Sequence, residues 1–225
     1  MVGLPPPTPP TPSERFTRAL VEVTRGVWNP ASGFDAAIGA ICETAATAMQ
    51  TERVSIWHHD REAGVLRCLH AYCAIEPHHE ASADLETLAL NDDDFLSALT
   101  GVRTLEAIEV DANADASAGA LRDYLLRHRV QAMLIAPAYF EDEMRGVIFH
   151  ESIDRVHKWT QEEITFAASM GDYIAMAYEI ARRRHAEAEV EHCGCTTAVP
   201  AWATGTTWSS CCASGWPARI GPAAA

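Results

Sequence analysis

Paired histidines, thiols and rings at strand spacing are the side chains of this chain whose types could do chemistry. His58-His59 and His78-His79 carry metal-donor atoms. Neighbouring residues of a strand point to opposite faces, so His58 and His59 do not share an ion, and His78-His79 falls in Pro77 to Ser82, which reads as a loop. No metal is expected. Trp57, His70, Tyr72, Phe95, Tyr139 and His150 are the candidates for a small-molecule site, because rings spaced along strands can wall a pocket; the same spacing also serves an ordinary core. His150-Glu151 closes an apolar run, where it would line a pocket or hold the strand end by hydrogen bonds. Cys42, Cys68 and Cys73 lie inside regular patterns, where cysteine is ordinarily a small buried hydrophobe. No Ser-His-Asp order, phosphate loop or well-placed carboxylate pair stands out. The chain is therefore not expected to be an enzyme, and no cofactor is expected.

The elements that position these residues centre on Ala132 to Arg184. Met133 to Tyr139 is apolar, Glu141-Asp142-Glu143 is a polar turn, and Gly146 to His150 is apolar again, the pattern of a hairpin in a mostly buried sheet. Trp159-Thr160-Gln161-Glu162-Glu163-Ile164 has the parts of a helix start, with Thr160 and Glu163 as a reciprocal capping box and Trp159 placed to staple onto Ile164. Phe166, Met170, Tyr173, Ile174, Ala177 and Ala181 then recur at three- and four-residue steps as one apolar stripe.

Ala136-Pro137 on one strand, Gly146 to Ile148 on the next, and Arg155, Trp159, Thr160 and Glu163 opening a long final helix resemble the C-terminal half of a GAF domain. The order of elements from about Phe34 to Glu179 is similar to that family throughout. The resemblance implies an α+β fold, with a central antiparallel sheet of about six strands and the N- and C-terminal helices packed together on one face.

Upstream, Thr11-Pro12-Ser13-Glu14 reads as a capping box that starts a helix carrying Phe16, Leu20 and Val23 and ending near Gly26. Ser32 to Asp35 starts a second helix through Ile38, Ile41, Cys42, Ala45 and Met49. Arg53 to His58 and Val65 to Tyr72 are strands about a turn. Asn91 caps a short helix, Asp93 to Thr100; Thr104 to Val110 is a strand, Asp111 to Gly119 a loop, and Leu121 to Arg127 a short helix. The divisions expected are a disordered proline-rich leader over 1–11, a sensor domain over 12–184 with its core at 34–180, a charged signalling helix over 181–192 and a disordered, out-of-frame tail over 193–225.

Composition narrows the partners. Seventeen basic against 31 acidic residues, a net charge of −14, argue against nucleic acid and anionic membrane, both of which need a cationic face. Apolar residues at 48% of 225 suffice for a core. No apolar run of about 18 residues is present to span a bilayer, and Met1 to Pro12 lacks the plan of a signal peptide. A cytoplasmic protein is expected.

The tail changes character abruptly. From Cys193 it holds one charged residue, Arg219, with Trp202, Trp208 and Trp216 and no period of either kind. Cys193-x-Cys195 and Cys211-Cys212 lack the usual spacing of zinc ligands. Back-translated and shifted by one base, the tail permits His-Asp-Arg-Arg-Thr-Gly-Leu-Gly-Asn-Arg, which resembles the opening of a GGDEF, or diguanylate cyclase, domain. The expectation is a GAF sensor that binds a small molecule or partner and signals to a cyclase-type output lost to a frameshift. Homodimerisation is expected through helices around Phe16–Val23 and Tyr173–Ile180. The other readings are a free-standing protein-interaction GAF module and a methionine sulfoxide reductase-like GAF enzyme, the last of which would need a reactive thiolate and a resolving partner.

Overall fold

The computed structural model describes residues 9–27, 33–81, 86–89, 98–99, 103–108 and 119–196. Its helices are α1 (Pro12–Val27), α2 (Phe34–Met49), α3 (Ala120–Arg127) and α4 (Gln161–Thr196). Its strands are β1 (Arg53–Asp60), β2 (Val65–Cys73), β3 (His78–Ala81), β4 (Thr87–Ala89), β5 (Leu105–Ile108), β6 (Val130–Phe140) and β7 (Glu143–Ile153). Expected elements over Asp93 to Thr100 and Asp111 to Gly119 lie mostly outside the described residues, as does Phe95. The chain divides into two compact units, Met1–His185 and Ala186–Ala225; of the second, the described part is the end of α4.

All the strand pairs are antiparallel, in the order β3-β2-β1-β7-β6-β5, with β4 also on β2. The expected loop at Pro77 to Ser82 is instead β3. Its ladder to the outer edge of β2 is made by backbone groups, and its exposed polar side chains carry no apolar alternation by which to recognise it. At β2 the register shifts between Ile56 and Trp57, leaving Leu69 and His70 against one residue of β1.

Each face of the sheet buries its own core. Val54, Ile56, Tyr72, Leu134, Ala136 and Ile148 meet α1, α2 and α4 on one side. On the other, Trp57, Leu66, Met133, Val147 and Phe149 meet Tyr124 and Leu125 of α3. Burial on both faces explains why β6 and β7 read as continuous apolar runs.

Both capping boxes form. The Thr160 amide donates to Glu163 at 2.7 Å and the Glu163 amide to Thr160 Oγ1 at 3.3 Å; Thr11 and Glu14 do the same for α1. Helices α1 and α4 run parallel, since Phe16 stacks on Phe166 at 4.7 Å and, further along both, Thr24 Oγ1 meets Tyr173 OH at 2.6 Å. Phe16, Val23, Ile174 and Ala177 are consequently buried within one protomer, while Leu20, Tyr173 and Ile180 stay half-buried.

Candidate functional site

The register of β1 on β7 sets Arg53 opposite Glu151 and Ser55 opposite Phe149, all on the face covered by α3. Glu151 is fully buried there. Its Oε1 accepts from Ser55 Oγ at 3.0 Å and from Tyr124 OH at 2.6 Å, and Ser55 Oγ accepts in turn from Trp57 Nε1 at 2.9 Å. Glu151 Oε2 lies 3.7 Å from the Arg53 guanidinium. Burial raises the carboxyl above its usual range, against the pull of Arg53, Tyr124 and Ser55. The donors on Oε1 all point at a carboxylate, so the pair is held as an ion pair, with Oε2 facing Arg53 at 3.7 Å and without a hydrogen-bond partner among the described residues.

Arg53 is the hub. Besides Glu151 it reaches Glu80 at 3.7 Å and His128 Nδ1 at 3.0 Å. Arginine only donates, so Nδ1 of His128 must be the accepting nitrogen and Nε2–H donates to Glu86 at 2.8 Å. Burial, then the Arg53 charge, lowers the His128 pKa and keeps that ring neutral. The Tyr124 hydroxyl is pushed well above its ordinary value, first by burial and then by Glu151, so it remains a donor. Around these groups Trp57, Tyr124 and Phe149 pack ring against ring, with centroids 5.3 to 6.1 Å apart. The network couples α3 to the sheet, because Tyr124 and His128 come from α3 and its end while Arg53, Ser55 and Glu151 come from the strands.

The expected site residues do not come together. Trp57 lies in this face's core, and Tyr139, more than one-third exposed, donates to the Leu99 carbonyl at 2.9 Å. His70 and Tyr72 lie on the opposite face, where Gly39 of α2 abuts the His70 ring and Tyr72 joins the helix-side core. His150 alternates with Phe149 and Glu151 and so also faces the helices; its ring is fully buried, and burial brings its pKa down to about 3. Arg53, Ser55, Tyr124 and His128 were not among the expected residues. The one available signal was Glu151, a charge at the end of an apolar strand.

Two thiols are poor nucleophiles. Burial pushes Cys68 up to about 12 and Cys42 well above its usual value. Among the described residues no three His, Cys, Asp or Glu side chains converge as a metal site, and no helix is long and apolar enough to cross a membrane.

Comparison with solved structures finds the same fold. The GAF domain of a phosphoenolpyruvate-protein phosphotransferase from Coxiella burnetii is 16% identical, with a TM-score of 0.59 over 76% of this chain and 97% of that one. The phycoerythrobilin-bound GAF domain of a cyanobacterial phytochrome is 14% identical, with a TM-score of 0.60 over 77% and 99%. Free methionine-R-sulfoxide reductase from Neisseria meningitidis, in complex with its substrate, is 12% identical, with a TM-score of 0.58 over 82% and 99%. No curated protein matches. The sequence model of the GAF domain matches residues 34–178, and with that span, from α2 into α4, the chain belongs to the GAF domain family.

Proposed function

We propose that this GAF domain is a sensory module that reads a small molecule on the α3 side of its sheet and passes the change along α4. GAF domains are typically sensory or regulatory. The observation that carries the finer reading is the buried Glu151, bonded to Tyr124 of α3 and to Ser55 of β1. Any ligand that displaces α3 alters the donors of an otherwise desolvated carboxylate, which gives two states of different energy. Similar folds that hold a bilin or a methionine sulfoxide reductase substrate support a small molecule as the thing read. The half-buried Leu20, Tyr173 and Ile180 leave a surface for a second copy, so the signal would travel through paired α1 and α4 helices. The shifted reading of the tail supports a diguanylate cyclase as the output.

A thermal-shift screen of the full chain against a metabolite panel tests this. A ligand at a hundred times its Kd adds about 2.7 kcal/mol of stability. The expected hit also perturbs the NMR signals of Ser55, Tyr124 and Glu151. Hits that perturb only other regions overturn the reading, and a panel without hits, with a protein partner bound at the sheet edge, puts the interaction module in its place.

A further inference from the structure

β3 is tied to the domain by more than its backbone ladder. His79 and Glu80 are successive residues and point to opposite faces, His79 across from Tyr72 and Glu80 across from Ala71. On the helix face, His79 Nδ1 meets His70 Nε2 at 2.9 Å, and His79 Nε2 lies 3.5 Å from Glu43 Oε2 of α2. On the other face, Glu80 Oε2 lies 3.7 Å from Arg53, the hub that holds Glu151. This four-residue edge strand therefore joins a histidine pair on one side of the sheet to the buried ion pair on the other.

A metal does not fit the histidine pair. Glu43 faces the ring nitrogen of His79 opposite to the one that faces His70, so the three cannot converge on one ion.

The nitrogen–nitrogen contact needs one N–H and one lone pair. A first proton suits it, because His79 then donates to both His70 and Glu43. A second proton, on His70, sets N–H against N–H. The buried His70 ring packs closely over Gly39 of α2, where a Cβ would lie 3.1 Å from its Cε1. β3 lies at the sheet edge with exposed side chains and yields more easily.

We propose that β3 is an acid-released latch: when His70 and His79 both carry a proton, β3 leaves the edge of β2 and takes Glu80 away from Arg53. Asp35 and Glu43 of α2 face the pair as negative charges and favour the protonated rings; Cys42 of α2 lies 4.0 Å from the His70 carbonyl. Ile56, opposite His70 on β1, is apolar. On β3 itself, His78 donates to the Glu76 carbonyl and pairs with Glu80 at 3.1 Å, and these bonds raise its pKa. His78 takes Oε1 of Glu80 while Oε2 faces Arg53, and both its partners lie within two residues on its own segment, so a proton on His78 does not drive release. Burial first, then the neighbouring His79 charge, lowers the His70 pKa. The closed strand thus binds that proton less readily than the open one, so the latch is at full strength above about pH 6.5 and weakens as pH falls below it. Its role in sensing rests on the function proposed above; the release itself does not.

Amide hydrogen exchange of the full chain, followed by NMR between pH 7.5 and 5, tests the latch without any ligand. In a His150→Leu background, which removes the acid sensitivity of the fold as a whole, and with intrinsic rates corrected, protection of the β3 amides is expected to fall about tenfold per pH unit below pH 6.5, while Ile135 and Phe149 in the sheet centre keep theirs. His79→Gln, which removes the neighbouring charge that opposes a proton on His70, is expected to flatten the pH dependence and leave only the part that burial of His70 contributes. In the unaltered chain, the imidazole nitrogen shifts of His70 are expected to show a transition below its ordinary value. Constant β3 protection, an equal fall in His79→Gln, simultaneous loss across the sheet, or titration of His70 at its ordinary value each overturns the proposal. A failed ligand screen leaves all these outcomes unchanged.

Discussion

Gly171 of α4 lies directly on the Pro137 carbonyl of β6: a Cβ at position 171 would come within 2.6 Å of that oxygen and 3.6 Å of the Ala136 Cβ. Helix and strand approach here as closely as backbone permits, which fixes how α4 sits on the sheet.

Gly171→Ala is therefore expected to destabilise the domain by about 1–3 kcal/mol, although alanine is the better helix former, because the clash is with backbone and not with a movable side-chain end. Urea unfolding measures it. A stabilised variant would show that α4 does not approach β6 so closely.

The Arg53 and Glu151 pair should behave as a unit. Arg53→Met leaves the buried carboxylate without its cation and is expected to cost about 3–5 kcal/mol. Adding Glu151→Gln removes the stranded charge while keeping an acceptor for Tyr124 and Ser55, so the double variant is expected to be more stable than Arg53→Met alone. Additive costs in this double-mutant cycle would mean that the two side chains do not interact.

His150 should make the fold acid-sensitive. Neither ring nitrogen has a hydrogen-bond partner among the described residues, and burial brings its pKa down to about 3. The unfolded chain takes up a proton near pH 6.5 that the folded chain refuses, so the stabilisation is complete above that pH and is lost as pH falls toward 3. This residue alone is expected to lower the unfolding free energy by about 2 kcal/mol between pH 7 and pH 5. His150→Leu should flatten that slope in urea titrations at each pH. Equal slopes would place the acid sensitivity elsewhere.

Thr160→Ala is expected to cost about 1 kcal/mol through the start of α4. Glu163 would keep its 3.0 Å contact with His157 but lose the hydroxyl that both gives to it and accepts from its amide. A change below about 0.3 kcal/mol by thermal unfolding would show the cap to be replaceable by water.

Thiol reactivity should follow burial. Of Cys42, Cys68 and Cys73, the half-buried Cys73 is expected to alkylate first at neutral pH, with Cys42 and Cys68 protected until the chain unfolds. Peptide mapping after iodoacetamide reads the order, and rapid labelling of folded Cys68 would reopen a cysteine-based chemistry.

The sequence by itself determined the local parts. The Thr160 and Glu163 capping box, the apolar runs of β6 and β7, and the stripe of α4 are all short-range patterns whose period or spacing states the element outright. The order of those elements then carried the family. Which residues meet was decided only by the tertiary structure. Period-2 alternation shows that His150 and Glu151 face opposite ways, but not which way is toward the helices; that choice comes from the pairing of β7 with β1, which sets Glu151 against Arg53 nearly a hundred positions away. β3 was invisible for a related reason, since an edge strand held by backbone bonds has no buried side-chain pattern to display. The polar network around Glu151 belongs to the same class: its members come from β1, α3 and β7, and only burial on a shared face makes five ordinary residues into one coupled group.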